Sequence, residues 1–398
     1  MQSVFAAMPL AVSLWCAVSL PCQNVLIVGS GGFPTIQAAV DTARDGDILR
    51  IAPGTYGGFS VAGKGLTLLA DQPGTVRILN LYVGDSVTFL PAPGQQVRLV
   101  DLRFERNPAA GDNVVGFGSG VVSIEACTFR GGHFAVLNIA SNSVVVMRHC
   151  DVQGDNTPVL VSSQSHLVAS ECTFVSGPLS HSFEDGSAIQ LNAASAMFSA
   201  CTMTGGAHPG GFFAFVAGSG VKGLNGSRLW LVDCTARGGD SATAVTPGGP
   251  AISNNGLTSY HRCTLIGGTS LAGPAPAIEG ASIAEPQLGA TSSPTVLQPG
   301  TNFGAVFTGE PGDIIVVLGT TELLAAQTTP LLAQPLLGFL APNGIVVDAA
   351  VAGPQGSVAY TFPVPNTAAV RHLGVWFRGI DLATWPLQSS TVVGGVIR

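Results

Sequence analysis

Residues 123–132, SIEACTFRGG, state a phrase that returns as VVMRHCDVQGD (145–155), LVASECTFVSG (167–177), MFSACTMTGG (197–206), LWLVDCTARGG (229–239) and SYHRCTLIGG (259–268). The phrase sets Cys127, Cys150, Cys172, Cys201, Cys234 and Cys263 at equivalent points, separated by 23, 22, 29, 33 and 29 residues. A period of this size marks a solenoid and takes precedence over any element-by-element assignment. The shortest spacing is then a bare unit, and the longer ones are that unit plus a loop.

Apolar residues stand five and three positions before each cysteine and two after it, as in Val145, Met147 and Val152 around Cys150. Both intervals alternate with strand period, but the parity slips between minus three and zero. This predicts two short strands joined by a two-residue bend, over pairs such as Arg148-His149. His149 and His261 are accordingly expected to be exposed turn residues. A third strand lies upstream in FAVLNI (134–139), PVLVSS (158–163), AIQLN (188–192), PAISNN (250–255) and PAIEG (276–280). Three short strands per turn of about 22 residues predict a right-handed parallel β-helix whose coils stack at about 4.8 Å.

The pattern resembles the pectin-lyase-like family of right-handed β-helix proteins over roughly residues 25–290. Residues 25–70, which contain VGSGGFPTIQAAVDTARDGDILRIAPGTY, resemble the segment that begins pectin methylesterases and many bacterial secreted β-helix proteins. There the resemblance implies a strand, a capping helix and a strand. The spacing of Ile36, Ala39, Val40 and Ala43 agrees, with Pro34 suited to the first helical turn. An amphipathic helix over the first coil would shield an exposed sheet edge. From Leu66 through Leu81 and Leu102 the coils continue without cysteine, and counting these with the cysteine units gives about nine.

Residues 1–20 are apolar throughout and are expected to be a signal peptide, with residues 21–287 the β-helix. Beyond this, 288–398 alternates apolar and polar residues between Pro-Gly turns, which predicts an antiparallel β-sandwich. It resembles the C-terminal sandwich of bacterial secreted β-solenoids, with an expected role as a cap for the last coil or a spacer. Composition agrees with an all-β chain: 398 residues with 52 Gly, 26 Pro and 10% charged side chains. Cysteines stacked in register on parallel strands stand too far apart for disulfides, so the six are read as buried thiols.

The family includes lyases, hydrolases and esterases of polysaccharides, yet the motifs that would carry those activities are absent. No DFIFG-like phrase or Arg before Pro-Trp is present, nor the NTD and RIK of polygalacturonases. With two lysines, Lys64 and Lys222, and a net charge of -7, the chain lacks a basic stripe for nucleic acid.

The stretched periods carry the candidate site, because loops inserted at one point of the coil stack on one side and can wall a groove. The first carries His181, Glu184 and Asp185, candidates for acid and base catalysis. The second carries His208, Phe212, Phe213, Phe215 and Lys222, and the third Asp240, all suited to binding sugar rings and hydroxyls. The leading expectation is a secreted or cell-surface monomer that recognises a glycan without catalysis. The alternatives are a polysaccharide-cleaving enzyme and a purely structural or adhesive solenoid. No cofactor is implied, and calcium is left open.

Overall fold

A computed structural model describes residues 23–80, 87–106, 115–131, 135–178, 186–208, 217–244, 246–284, 289–293, 297–320, 345–367, 370–371, 374–383, 387–391 and 393–397. The expected signal peptide lies outside the described residues. From Val25 to Ala284 the chain is a parallel β-helix of about nine coils, each contributing up to three strands. In one coil Leu137–Ile139 belongs to an upstream ladder, Val144–Arg148 to a middle ladder and Asp151–Gly154 to a downstream ladder. The pairings between coils are parallel, with Val145 opposite Leu167 and Val152 opposite Phe174, and the register shifts between Asn254 and Leu257 where Ile252–His261 meets Ile278–Ala284.

The inward columns are those the alternation specifies, and Val145, Met147, Val152 and Phe174 are fully buried. Like side chains stack along the axis: the rings of Phe104 and Phe129 lie 4.8 Å apart and nearly parallel. The first coil is covered by a helix, α1 (Ile36–Thr42), which buries Ile36, Ala39 and Val40. Its N-cap is Thr35, whose hydroxyl accepts the Ala38 N–H at 3.1 Å, so Pro34 precedes the helix instead of opening it. Lys64 Nζ donates to the carbonyls of Val40 and Ala43 at the other end.

The bend differs from the expected residue pair. The middle strand continues through the position two before each cysteine, and one residue turns the chain. Asp101, Ala126, His149, Glu171, Ala200, Asp233 and Arg262 all adopt left-handed φ, between 47° and 56°. After this corner the N–H of Leu102 donates to Cys127 Sγ, and that of Cys150 to Cys172 Sγ, each at 3.4 Å. Each thiol donates in turn to the carbonyl two residues before it, at 3.1 Å from Cys172 to Ser170. All six thiols are reduced, and burial pushes those of Cys127, Cys150, Cys172 and Cys201 well up.

Residues 289–397 form two facing antiparallel sheets around Phe303, Phe307, Ile315, Val317 and Phe377. Phe362 and Phe377 stack at 4.0 Å. The described residues of this sandwich lie along the flank of the solenoid, not over its last coil. Trp376 and Leu318 join Val121, Val144, Val146, Val168, Met197 and Trp230, outward residues of the middle ladder, in one apolar cluster. Polar contacts line the seam. Val396 N–H donates to Glu125 Oε2 at 2.9 Å, Arg148 donates to Ser292 Oγ, and Ser199 Oγ exchanges hydrogen bonds with the Ala290 backbone. Farther along, Thr308 Oγ1 donates to Asp233, Arg262 donates to Thr308, and His261 Nε2 lies 3.1 Å from Glu310. His149, expected to be an exposed turn residue, is held 3.2 Å from Glu171 at the edge of this seam, and His261 is engaged in the same way.

Burial pushes Glu125 up to about 7, against the pull of Arg148 and the Val396 N–H. Burial and the Arg148 charge hold His149 down at about 4. Glu171 is likewise raised by burial.

Two predictions follow from this geometry. Cys172→Ala leaves the Cys150 N–H unpaired and should destabilise by roughly 1–3 kcal/mol in urea denaturation, with Cys172→Ser retaining part of the loss. In the folded chain Glu125 keeps a proton that the unfolded chain has released above the ordinary carboxylate range. It therefore costs stability as pH rises from about 4.5 to about 7, by up to roughly 3 kcal/mol. Glu125→Gln should remove that slope in pH-dependent melting and leave the loss caused by His149 as pH falls from 6.5 toward 4.

Candidate functional site

The last three phrases end in paired glycines, and these build the roots of the loops that follow them. The chain leaves the downstream ladder at Gly205-Gly206, Gly238-Gly239 and Gly267-Gly268, and returns at Gly218, Gly249 and Ala275. Outgoing and returning backbones alternate along the axis and bond to one another. Gly206 N–H donates to Gly186, Gly218 to Gly206, Gly239 to Gly218, Gly249 to Gly239, Gly268 to Gly249 and Ala275 to Gly268, all at 2.7–3.0 Å. A Cβ on Gly239 would lie 2.0 Å from the Gly206 oxygen, and one on Gly268 would lie 1.9 Å from that of Gly239. Only glycine permits backbones this close. The neck fixes where the loops emerge, between the downstream and upstream ladders.

Above the neck, neighbouring loops are laced together. His208 is buried, with its N–H donating to the Asp240 carbonyl and its own carbonyl accepting the Ala242 N–H. Asp240 Oδ1 accepts from the Thr269 N–H at 2.7 Å and its hydroxyl at 2.9 Å, and Oδ2 accepts from Arg237 at 2.8 Å. The Thr269 N–H is the main cause holding the Asp240 carboxyl low. His208 and Asp240 thus meet at the base of adjacent loops. His181, Glu184, Asp185, Phe212, Phe213 and Phe215 lie outside the described residues.

Lys222, assigned by the sequence to the second loop, stands instead on strand Val221–Leu224 of the upstream ladder. The phrase GVKGL alternates like its counterparts, with Val221 fully buried and Lys222 outward. Its register neighbours form an outward column running Ser60, Thr88, Gly116, Asn138, Leu160, Gln190, Lys222, Ser253 and Glu279. Ser253 Oγ donates to Glu279 Oε2 at 3.2 Å. Beside this column, Asn225 Nδ2 donates to Asn192 Oδ1, and Gly226 N–H to Asn255 Oδ1.

Among the described residues the face therefore offers amides, hydroxyls, one ammonium and one carboxylate, with the glycine neck running along its edge. Such groups can donate to and accept from the hydroxyls of a sugar. Among the described residues no group of three or more His, Cys, Asp or Glu side chains converges to hold a metal. Asn138, Gln190, Ser253 and Glu279 are legible in the sequence as outward residues of the upstream strands, where no motif marks them.

No protein-family model matches the chain, and no curated protein matches it. Among solved structures it is similar to pectin methylesterase from carrot, with a TM-score of 0.46 and 14% identity over 66% of this chain and 88% of that one. It is similar also to YbhC of Escherichia coli, with a TM-score of 0.33 and 14% identity over 61% and 72% of the two chains. A third is the A-module of the mannuronan C-5 epimerase AlgE4 of Azotobacter vinelandii, at 0.29 and 14% over 62% and 88%. The fold rests on the ladders described above.

The neck is directly testable. Gly239→Ala should destabilise by roughly 3 kcal/mol or more in chemical denaturation, because backbone must move to admit the methyl group. Gly226→Ala, at φ 71° in an open turn with nothing within 4 Å, should cost only about 1 kcal/mol.

Proposed function

We propose that this chain is a secreted or cell-surface β-helix protein that recognises a glycan along the upstream face, acting as a monomer and without cleaving its ligand. The supporting observation is the outward run Gln190, Lys222, Ser253 and Glu279, hydrogen-bonding side chains in four successive coils beside the glycine neck, with Asn138 farther along the same column beyond Leu160. Sugars are bound through such convergent polar groups, and a rigid sheet holds them in place before the ligand arrives. Phe212, Phe213 and Phe215 would supply ring-stacking surface from the second loop. Among the described residues no helix is long and apolar enough to cross a membrane.

A glycan array with the mature chain, with and without calcium, tests this proposal, followed by product analysis on any polymer retained. Gln190→Ala with Lys222→Ala should weaken binding by about tenfold, some 1.4 kcal/mol, with the melting temperature unchanged. Release of shortened products would replace recognition by cleavage and direct substitution to His181, Glu184 and Asp185. No retention on any glycan, in either calcium condition, would leave a structural solenoid.

A further inference from the structure

The downstream ladder carries a second outward column, on a face that neither the sandwich nor the upstream column uses. In register it runs Thr55, Arg77, Arg103, Thr128, Asp151, Thr173, Thr202, Thr235 and Thr264. Every member is a hydroxyl or a charge. All are exposed except Thr128 and Asp151, which are half-buried.

Its first part gathers arginine in a chain whose net charge is -7. Arg77 and Arg103 are direct register partners, and like charges so placed repel. Both rely on one carboxylate: Glu105 accepts from Arg77 Nε at 3.0 Å and lies 3.0 Å from Arg103 Nη2. One coil on, Arg130 bridges to Asp151 and donates to Gln153 Oε1 at 2.7 Å. On this face three guanidinium groups, Arg77, Arg103 and Arg130, stand against two carboxylates, Glu105 and Asp151. Guanidinium pairs well with planar oxyanions, and one Glu105 shared by two of them leaves donors for another anion. Beyond the arginines the threonines Thr173, Thr202, Thr235 and Thr264 continue the line in four successive coils.

We infer that this downstream face is a binding track for an acidic polysaccharide lying along the solenoid axis, its anionic groups on Arg77, Arg103 and Arg130 and its hydroxyls on the threonine run. Coils repeat at about 4.8 Å, and a pyranose unit advances a glycan chain by a similar step, so successive sugars meet successive coils. The track is separate from the upstream face and does not depend on the recognition proposed there.

The test measures binding of the full chain to polygalacturonate, its fully methyl-esterified form and dextran sulfate, at low salt and at about 0.15 M, where exposed charges are screened over roughly 8 Å. Arg77→Ala with Arg103→Ala should weaken binding to an acidic polymer by about tenfold and flatten its salt dependence. Glu105→Gln should tighten binding several-fold by releasing both arginines, whereas a purely structural role for Glu105 would weaken it. Thr202→Val with Thr235→Val keeps the branched shape suited to a strand and should weaken binding a few-fold without changing the salt dependence. Arg44→Ala, an exposed arginine just beyond the cap helix and outside both columns, should leave it unchanged, which separates this track from the overall charge. Whichever acidic polymer binds more tightly identifies the anion, carboxylate or sulfate. The inference is overturned if the double arginine variant binds both polymers like the parent, if the esterified polymer binds as well as the acidic forms, or if duplex DNA competes better than either.

Discussion

The solenoid depends on how the chain turns its tightest corner. One non-glycine residue per coil is forced into the left-handed region, at a cost of about 1–2 kcal/mol each, and the N–H that follows it points at no carbonyl. Sulfur solves the second difficulty. The thiol of the next coil accepts that N–H while donating to the carbonyl two residues earlier, so a small, largely apolar side chain satisfies the backbone without bringing a strongly hydrated group into the core. The column can begin at Leu102 because its N–H needs only the sulfur of Cys127 ahead of it. The cysteines are therefore hydrogen-bonding members of the coil, which spacing alone did not suggest.

A second constraint shapes the other side. The glycine neck lets two chain passes share the space of one coil, and this is what allows insertions of different lengths to emerge without disturbing the ladders. The cysteine columns were legible because inward residues repeat at fixed offsets with strand parity. The glycines were equally visible in the phrases, but their meaning was not, since it lies in contacts between backbones some thirty residues apart. The assignment of Lys222 to a loop failed for a related reason: two of the five residues of GVKGL are glycine, so its alternation is faint.

The docking of the sandwich could also have been anticipated. VVVM at 144–147 and the LWLV of 229–232 are apolar on both parities, and a strand apolar on both sides is covered on both sides. Val146, Val168, Met197 and Trp230 are the second set, and they share one apolar cluster with Trp376. What sequence pattern could not supply was the pairing of Glu125 with Val396 or of Arg148 with Ser292, because contacts between residues so distant along the chain leave no local periodicity. With the middle flank occupied, the upstream and downstream faces are left as the two long surfaces on which polar columns meet solvent.

The path of the chain after the last coil has a mechanical consequence. A bare solenoid is a row of nearest-neighbour contacts and can unravel one coil at a time from its free end. Here the chain turns back, and its final strand reaches Glu125, near the middle of the stack, after Thr308 has already touched the coil of Asp233 and Arg262. The sandwich is a splint laid across those intermediate coils. Tension on the C-terminus is met first by the seam, in shear along the flank, so the coils beneath it are loaded together instead of being unspooled in turn.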